Sequence, residues 1–446
     1  MTSSISKKQS KLPVFLRKGR VSGYLTVAMA GQLVYSSFEA FKGSLMVPLT
    51  NALGIGIDQF GILMGWLGIA MFLYVPGGWA NNRFTIRSIL IAWGIWRMLT
   101  ALALYLVPDL SFNMMIAIAI SWGVWDAIGW PAVVNGVAFM SQDSDKEGRG
   151  LAMGLLESIR RGAEFVMNLA IVGLLAVMPD NADTVMTVMG VLYSLLVIPL
   201  IFCLLRFVPK NAVAGQEKNG AEEPEENANI AALKGLFKVL VLPRVWLAGL
   251  AGLCVYWCYV NLVYSSAPYL SLVFNASDAV SGAFGIFNTG LVGILAGLIS
   301  GLLADYLFKS STCMLGVALI VVALGTGLVY LLPASTNMWP AMLLLIVMAF
   351  GVFMGKAVIL APIAELHLPE QINGSAMAVG SFLVYASIFW ANPMTSSIVE
   401  ANREHAHEGY QQIFLMTLVI ALVGAACAFA LDRANARVLS RQKVQS

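Results

Sequence analysis

Long apolar runs separated by short polar connections make up most of the 446-residue chain. A bilayer core about 30 Å thick takes roughly 20 apolar residues in helix to cross. On that rule the runs predict twelve spans. Spans 1–6 fall at 22–50, 59–78, 86–107, 112–140, 149–177 and 184–208; spans 7–12 fall at 243–271, 277–304, 311–332, 338–364, 372–399 and 410–431. Between the two sets, the stretch QEKNGAEEPEENAN is charged, holds Pro and Gly, and lacks large apolar side chains, as a flexible linker would. The expected organisation is an N-terminal segment 1–21, a six-helix bundle 22–208, a linker 209–242, a second six-helix bundle 243–431 and a tail 432–446.

Composition supports lipid as the solvent. The chain is 59% hydrophobic and 11% charged, against about 25% charged for soluble domains. An all-α membrane protein is therefore expected. The net charge of +3 is too small to predict a nucleic-acid partner. The first twenty residues are polar and basic, unlike a signal peptide. All five cysteines lie inside apolar runs and read as small buried hydrophobes. No metal spacing, P-loop or dinucleotide loop appears, so neither a metal nor a cofactor is expected, and no surface constellation predicts an enzyme.

Lysine and arginine set the expected orientation. The even-numbered connections and both ends carry Arg17, Lys18, Arg20, Arg83, Arg87, Lys146, Arg149, Lys309, Arg433 and Arg437, among others, whereas the odd-numbered connections carry Arg403 alone. Both termini and the linker are thus expected in the cytoplasm of a cell with this protein in its inner (plasma) membrane. The halves also echo each other. GWANNRF starts at Gly78 and GLLADYLF at Gly301, an offset of 223; GRGLAMG starts at Gly148 and INGSAMA at Ile372, an offset of 224. Parallel six-helix repeats are a known transporter plan.

The loop Gly78-Trp79-Ala80-Asn81-Asn82-Arg83 resembles the G-x-x-x-D-R signature between helices 2 and 3 of the major facilitator superfamily, with Asn82 in place of the acidic residue. Its repeat copy keeps that residue as Asp305. The resemblance implies the major facilitator fold of two six-helix bundles, with Gly78, Asn82, Arg83 and Asp305 as a cytoplasmic gate motif, weakened by Asn82. Gly129-Trp130-Pro131 and Glu147-Gly148-Arg149-Gly150 resemble the organophosphate/phosphate antiporter and sugar-acid (anion/cation symporter) branches. Glu39 stands where the first branch has its phosphate-binding Arg in helix 1, Arg160 where it has a binding-site His, and no Arg matches the second phosphate-binding Arg of helix 7. Exchange by the usual Arg pair is therefore not expected. Span 5 lacks the Gly-Pro-rich signature of drug/proton antiporters.

Ionisable groups within spans are costly and mark function. Span 1 has Glu39 and Lys42, expected on one helix face; span 3 has Arg97, span 4 Asp126, span 5 Glu157, Arg160, Arg161 and Glu164, and span 10 Lys356, with Glu365 and His367 near its end. At 100° per residue the four charges of span 5 fall within a sector of about 100°, a stripe that must face a polar cavity or another helix. One reading gives Arg160, Lys356 and Lys42 to an anionic substrate, whose carboxylate or phosphate suits a guanidinium fork. Glu39, Asp126 and Glu164 then carry the coupling proton, and Arg97, Glu157 and Arg161 are structural charge pairs. The other reading has all these charges pairing among themselves. Tyr256, Tyr259 and Asn392 are candidates for a substrate's hydroxyls or ring faces, as are Asn261, Asn288 and Trp390; packing is the alternative for each. The expected function is alternating-access secondary transport of a small polar solute by a monomer in the bilayer, coupled to a proton or sodium. The leading expectation is proton-coupled uptake of an organic anion such as a sugar acid. The alternatives are a neutral sugar or nucleoside symporter and a transporter-like sensor.

Overall fold

The computed structural model describes residues 20–140, 146–210, 212, 238–333, 335–366, 368 and 370–445. Most of the expected linker, the first nineteen residues and His367 lie outside that set, as do the side chains of Asn82, Lys146, Glu147, Arg149, Glu157 and Asp305, and what surrounds Gly78. The described chain is helical, with no strand among the described residues. It is an all-α membrane protein, as the hydropathy predicts.

Nine helices among the described residues are long and apolar enough to cross a membrane, or ten if the bent pair Met46–Ala52 and Ile57–Leu73 counts as one. The shortfall from twelve has local causes. Span 1 is not one helix: it runs Val21–Leu33, unwinds through a short 3₁₀ turn at Glu39–Phe41, and resumes at Met46–Ala52. Span 2 divides into Ile57–Leu67 and Ala70–Arg83. Span 5, Lys146–Val177, is continuous but carries too many charges to look apolar. Large apolar side chains project outward along several helices, including Phe202, Leu324 and Leu343. Such faces suit lipid. The last helix runs from Ala406 to Gln445. At about 1.5 Å per residue its 40 residues reach roughly 60 Å, about twice a bilayer core, so the expected tail begins as a continuation of span 12.

The break in span 1 corrects one expectation. Glu39 and Lys42 do not share a helix face: Glu39 starts the 3₁₀ turn, and Lys42 closes it with an extended ψ of 140°. Gly43 follows at φ +78°, a left-handed conformation that glycine takes without penalty. Side chains from neighbouring spans hold the opened backbone. The Tyr105 hydroxyl donates to the Ser37 carbonyl at 2.6 Å, and the Asn168 amide donates to the Ala40 carbonyl at 2.8 Å. Span 7 breaks correspondingly after Tyr264 and resumes at Ala267. The two breaks meet, with the Ala267 N–H donating to the Gly43 carbonyl at 3.3 Å. The 223-residue offset carries Gly43 onto Ser266, so the halves unwind at equivalent positions.

The halves pack closely at the end of the bundle that holds the 51–56 and 402–405 connections. Ile57–Leu67 of span 2 lies along Ile388–Ala401 of span 11, and Asp278–Ile286 of span 8 lies along span 5. Glycine permits the first of these approaches. A Cβ on Gly61 would overlap Ser396, and one on Gly65 would sit 3.0 Å from the Phe389 carbonyl oxygen. We refer to this as the closed end.

Candidate functional site

A cavity of about 950 Å³ lies between the two halves, walled by spans 1, 2, 4 and 5 from the first and 7, 8, 10 and 11 from the second. It begins at the closed end and reaches Ser158, which is exposed. Its lining brings together Glu39, Lys42, Asp126, Arg160, Arg161, Glu164, Tyr256, Tyr259, Lys356 and Asn392. These residues come from six different spans.

Behind the wall of the first half is a buried charge network. Arg97 of span 3 is 1% exposed. Its guanidinium is ion-paired with Glu39 and lies 3.8 Å from the Asp126 carboxylate. The Trp93 indole N–H donates to Asp126 at 2.9 Å. The guanidinium stacks 3.8 Å from the centre of the Trp122 ring and 5.6 Å from that of Tyr35. A cation over such rings in a desolvated site gains about 2 kcal/mol. The unwinding of span 1 is what brings Glu39 to this arginine. Fully ionised, the three groups sum to one negative charge, so one proton makes the group neutral.

Three of the four charges of span 5, Arg160, Arg161 and Glu164, line the cavity; the side chain of Glu157 lies outside the described residues. The Arg160 Nε–H donates to the Gly31 carbonyl at 2.9 Å, and its guanidinium lies 4.4 Å from the Trp130 ring centre and 5.8 Å from that of Tyr35. Arg161 pairs with Glu164 at 3.2 Å, both partly exposed; Glu164 is thereby engaged by its own helix. On the opposite wall, Lys356 Nζ stands 3.4 Å from the centre of the Tyr259 ring, 5.6 Å from Tyr256 and 6.0 Å from Phe353. Tyr256 packs against Tyr259 at 5.4 Å and Tyr385 at 5.1 Å. Lys42, from the first half, approaches the same Tyr259 ring at 6.0 Å. Lysines from both halves therefore converge on one tyrosine. The Asn392 amide donates to the Ile388 carbonyl at 3.1 Å while lining the cavity.

Other candidates lie elsewhere. Asn261 is fully buried within the second half, donating to Thr417 and accepting from Thr395, both at 2.7 Å. It ties spans 7, 11 and 12 together and does not line the cavity. Asn288 is buried too, donating to Ser266 at 2.7 Å. Trp390 packs edge-on to Trp257 at 5.9 Å. Glu365 caps the start of span 9, accepting from the Ser311 N–H at 2.8 Å and the Thr312 N–H at 3.2 Å. Arg83 is exposed at the end of span 2. Gln32, Tyr35, Ser158, Phe353 and Tyr385 line the cavity but were not singled out from the sequence. Gln32 and Tyr35 lie within two turns of Glu39; Trp130 was noted only as part of a motif. No cluster of three potential metal ligands occurs among the described residues.

A two-halved helical membrane protein with a charged cavity between its halves is built as a carrier. Residues 27–392 match the Major Facilitator Superfamily, and the chain belongs to that family. It is a transporter, not an enzyme. It is 25% identical over 439 residues to the inner membrane protein YihN of Escherichia coli (strain K12), covering 96% of this chain and 98% of that one. It is 23% identical over 377 residues to the inner membrane protein YqcE of the same organism, covering 83% and 85%. Among solved structures, a bacterial homolog of the human lysosomal transporter Spinster, inward-facing and unoccupied, is similar at a TM-score of 0.73 and 14% identity, covering 94% and 98%. The nucleoside transporter NupG is similar at 0.68 and 12%, covering 92% and 98%.

Proposed function

We propose that the protein couples uptake of a small organic anion, such as a sugar acid, to a proton. The supporting observation is the composition of the cavity between the halves. Four cations, Lys42, Arg160, Arg161 and Lys356, line it with three carboxylates, and Arg97 adds a cation behind the wall. Among these described groups positive charge is in excess, which favours an anion in a site of low dielectric. Arg160, Lys42 and Lys356 receive the anion; Tyr256, Tyr259 and Asn392 shape the wall around it. Glu39 and Asp126, sharing Arg97, hold the proton. A proton bound there raises the positive excess, and an anion lowers the cost of binding the proton. Each ligand thus strengthens the other, as symport requires. Glu164, bonded to Arg161, is the lesser candidate for the proton.

The Lys and Arg asymmetry supports cytoplasmic termini. The closed end then faces away from the cytoplasm, and the cavity opens inward. The test is proton uptake by proteoliposomes given sugar acids, other carboxylates, phosphate esters, sugars and nucleosides in turn. An anion that drives proton entry in the parent and not in Arg160→Ala supports the proposal. Response to neutral solutes alone overturns it. The second reading, a neutral sugar or nucleoside as substrate, draws on the ring cluster of Tyr256, Tyr259, Tyr385 and Phe353.

A further inference from the structure

Gln32 ends the regular part of span 1 one residue before the helix stops. It lines the cavity, yet the residue is 1% exposed and its side-chain Nε2 finds no acceptor among the described residues. A buried donor left without a partner is costly and calls for an explanation. Packing does not supply one, because leucine would fill the same space without the penalty. The neighbourhood does. Arg160 donates Nε–H to the carbonyl of Gly31, the adjacent residue, so the guanidinium is held at the turn that carries Gln32, and both residues line the cavity. The Gln32 carbonyl accepts from Ser36 at 3.0 Å, which fixes the turn from below.

We infer that Gln32 is a substrate-recognition residue whose amide donates to an acceptor oxygen of the bound anion beside Arg160. The inference rests on the anion-transport reading and deepens it. A guanidinium fork takes the two oxygens of a carboxylate or of a larger oxyanion. A further donor on the same turn asks for a third oxygen close by. That chemistry is met by a carboxylate with a neighbouring hydroxyl, and equally by a tetrahedral oxyanion such as a phosphate ester. A plain alkyl carboxylate lacks it.

The experiment measures binding of four probes to purified parent, Gln32→Leu and Gln32→Asn protein in nanodiscs: gluconate, glucose 6-phosphate, hexanoate and glucose. Thermal unfolding without ligand is recorded for each variant. For the parent, gluconate or glucose 6-phosphate binds more tightly than hexanoate, and whichever of the two binds identifies the oxygen source. Gln32→Leu weakens that probe roughly tenfold or more, Gln32→Asn weakens it less, and hexanoate is unaffected by either. Without ligand, Gln32→Leu unfolds no lower than the parent, because it removes an unpartnered donor. A structural role would instead lower the unfolding temperature and leave Kd alone. If the parent binds gluconate or glucose 6-phosphate and Gln32→Leu binds it within twofold of the parent, this inference falls and the anion reading stands. If the parent binds only glucose, or none of the probes, both fall.

Discussion

Replacing Arg97 with glutamine removes the cation that Glu39 and Asp126 share and leaves their carboxylates in the interior. Glu39 is 7% exposed and Asp126 8%. Removing one partner of a buried ion pair costs about 3–5 kcal/mol, because the remaining charge is uncompensated. The contact over the Trp122 ring is lost as well. At roughly 2 °C per kcal/mol, the figure for domains of a few hundred residues, Arg97→Gln lowers the apparent unfolding temperature by about 6–10 °C at neutral pH. The double variant Arg97→Gln/Glu39→Gln leaves only Asp126 ionised and recovers a large part of the loss. The assay is thermal unfolding of purified protein at neutral pH, with the two singles and the double forming a cycle. Equal unfolding temperatures for parent and Arg97→Gln at neutral pH, or additive effects in the double, would refute a shared network.

Lys356→Ala, which removes the cation beside Tyr259, raises the KM for the transported anion about tenfold or more in proteoliposome uptake, while thermal unfolding stays near the parent's. Gly61→Leu cannot pack against Ser396; it is expected to keep the halves apart at the closed end and to abolish transport while the protein still inserts and purifies, which uptake assays and size-exclusion profiles check. Asn261→Leu removes two buried hydrogen bonds and leaves the Thr395 hydroxyl without its acceptor, while Thr417 still donates to the Ile413 carbonyl; the cost of about 1–3 kcal/mol is read as a lower unfolding temperature with an unchanged KM.

Long-range organisation was legible because it is written in hydropathy and in short repeated motifs. Six-plus-six spans follow from hydropathy and spacing alone, and helical periodicity groups Arg160, Arg161 and Glu164 of span 5, which line the cavity together. The broken first span was not legible. Its opening depends on Tyr105 and Asn168, which lie far along the sequence and bond its backbone from the neighbouring spans 3 and 5, and on Gly43 taking a positive φ. Helical spacing therefore put Glu39 beside Lys42, while the structure sends one to Arg97 and the other toward Tyr259. Charge within apolar spans flagged nearly every ionisable group of the cavity, since such residues are rare there. Neutral residues such as Gln32, Tyr35 and Tyr385 give no comparable signal. Asn261 was flagged for its polarity alone, and only packing reveals that both ends of its amide are used inside one bundle.

Coupling on this reading requires that substrate and proton share one cavity and that Glu39 and Asp126 hold the proton. Accumulation of the transported anion in proteoliposomes under an imposed pH gradient tests it most directly, measured beside exchange of labelled for unlabelled anion without a gradient. Glu39→Gln and Asp126→Asn are expected still to exchange the anion but no longer to accumulate it, behaving as the parent does when an uncoupler collapses its gradient. Gradient-driven accumulation at the parent's level in both variants would contradict it.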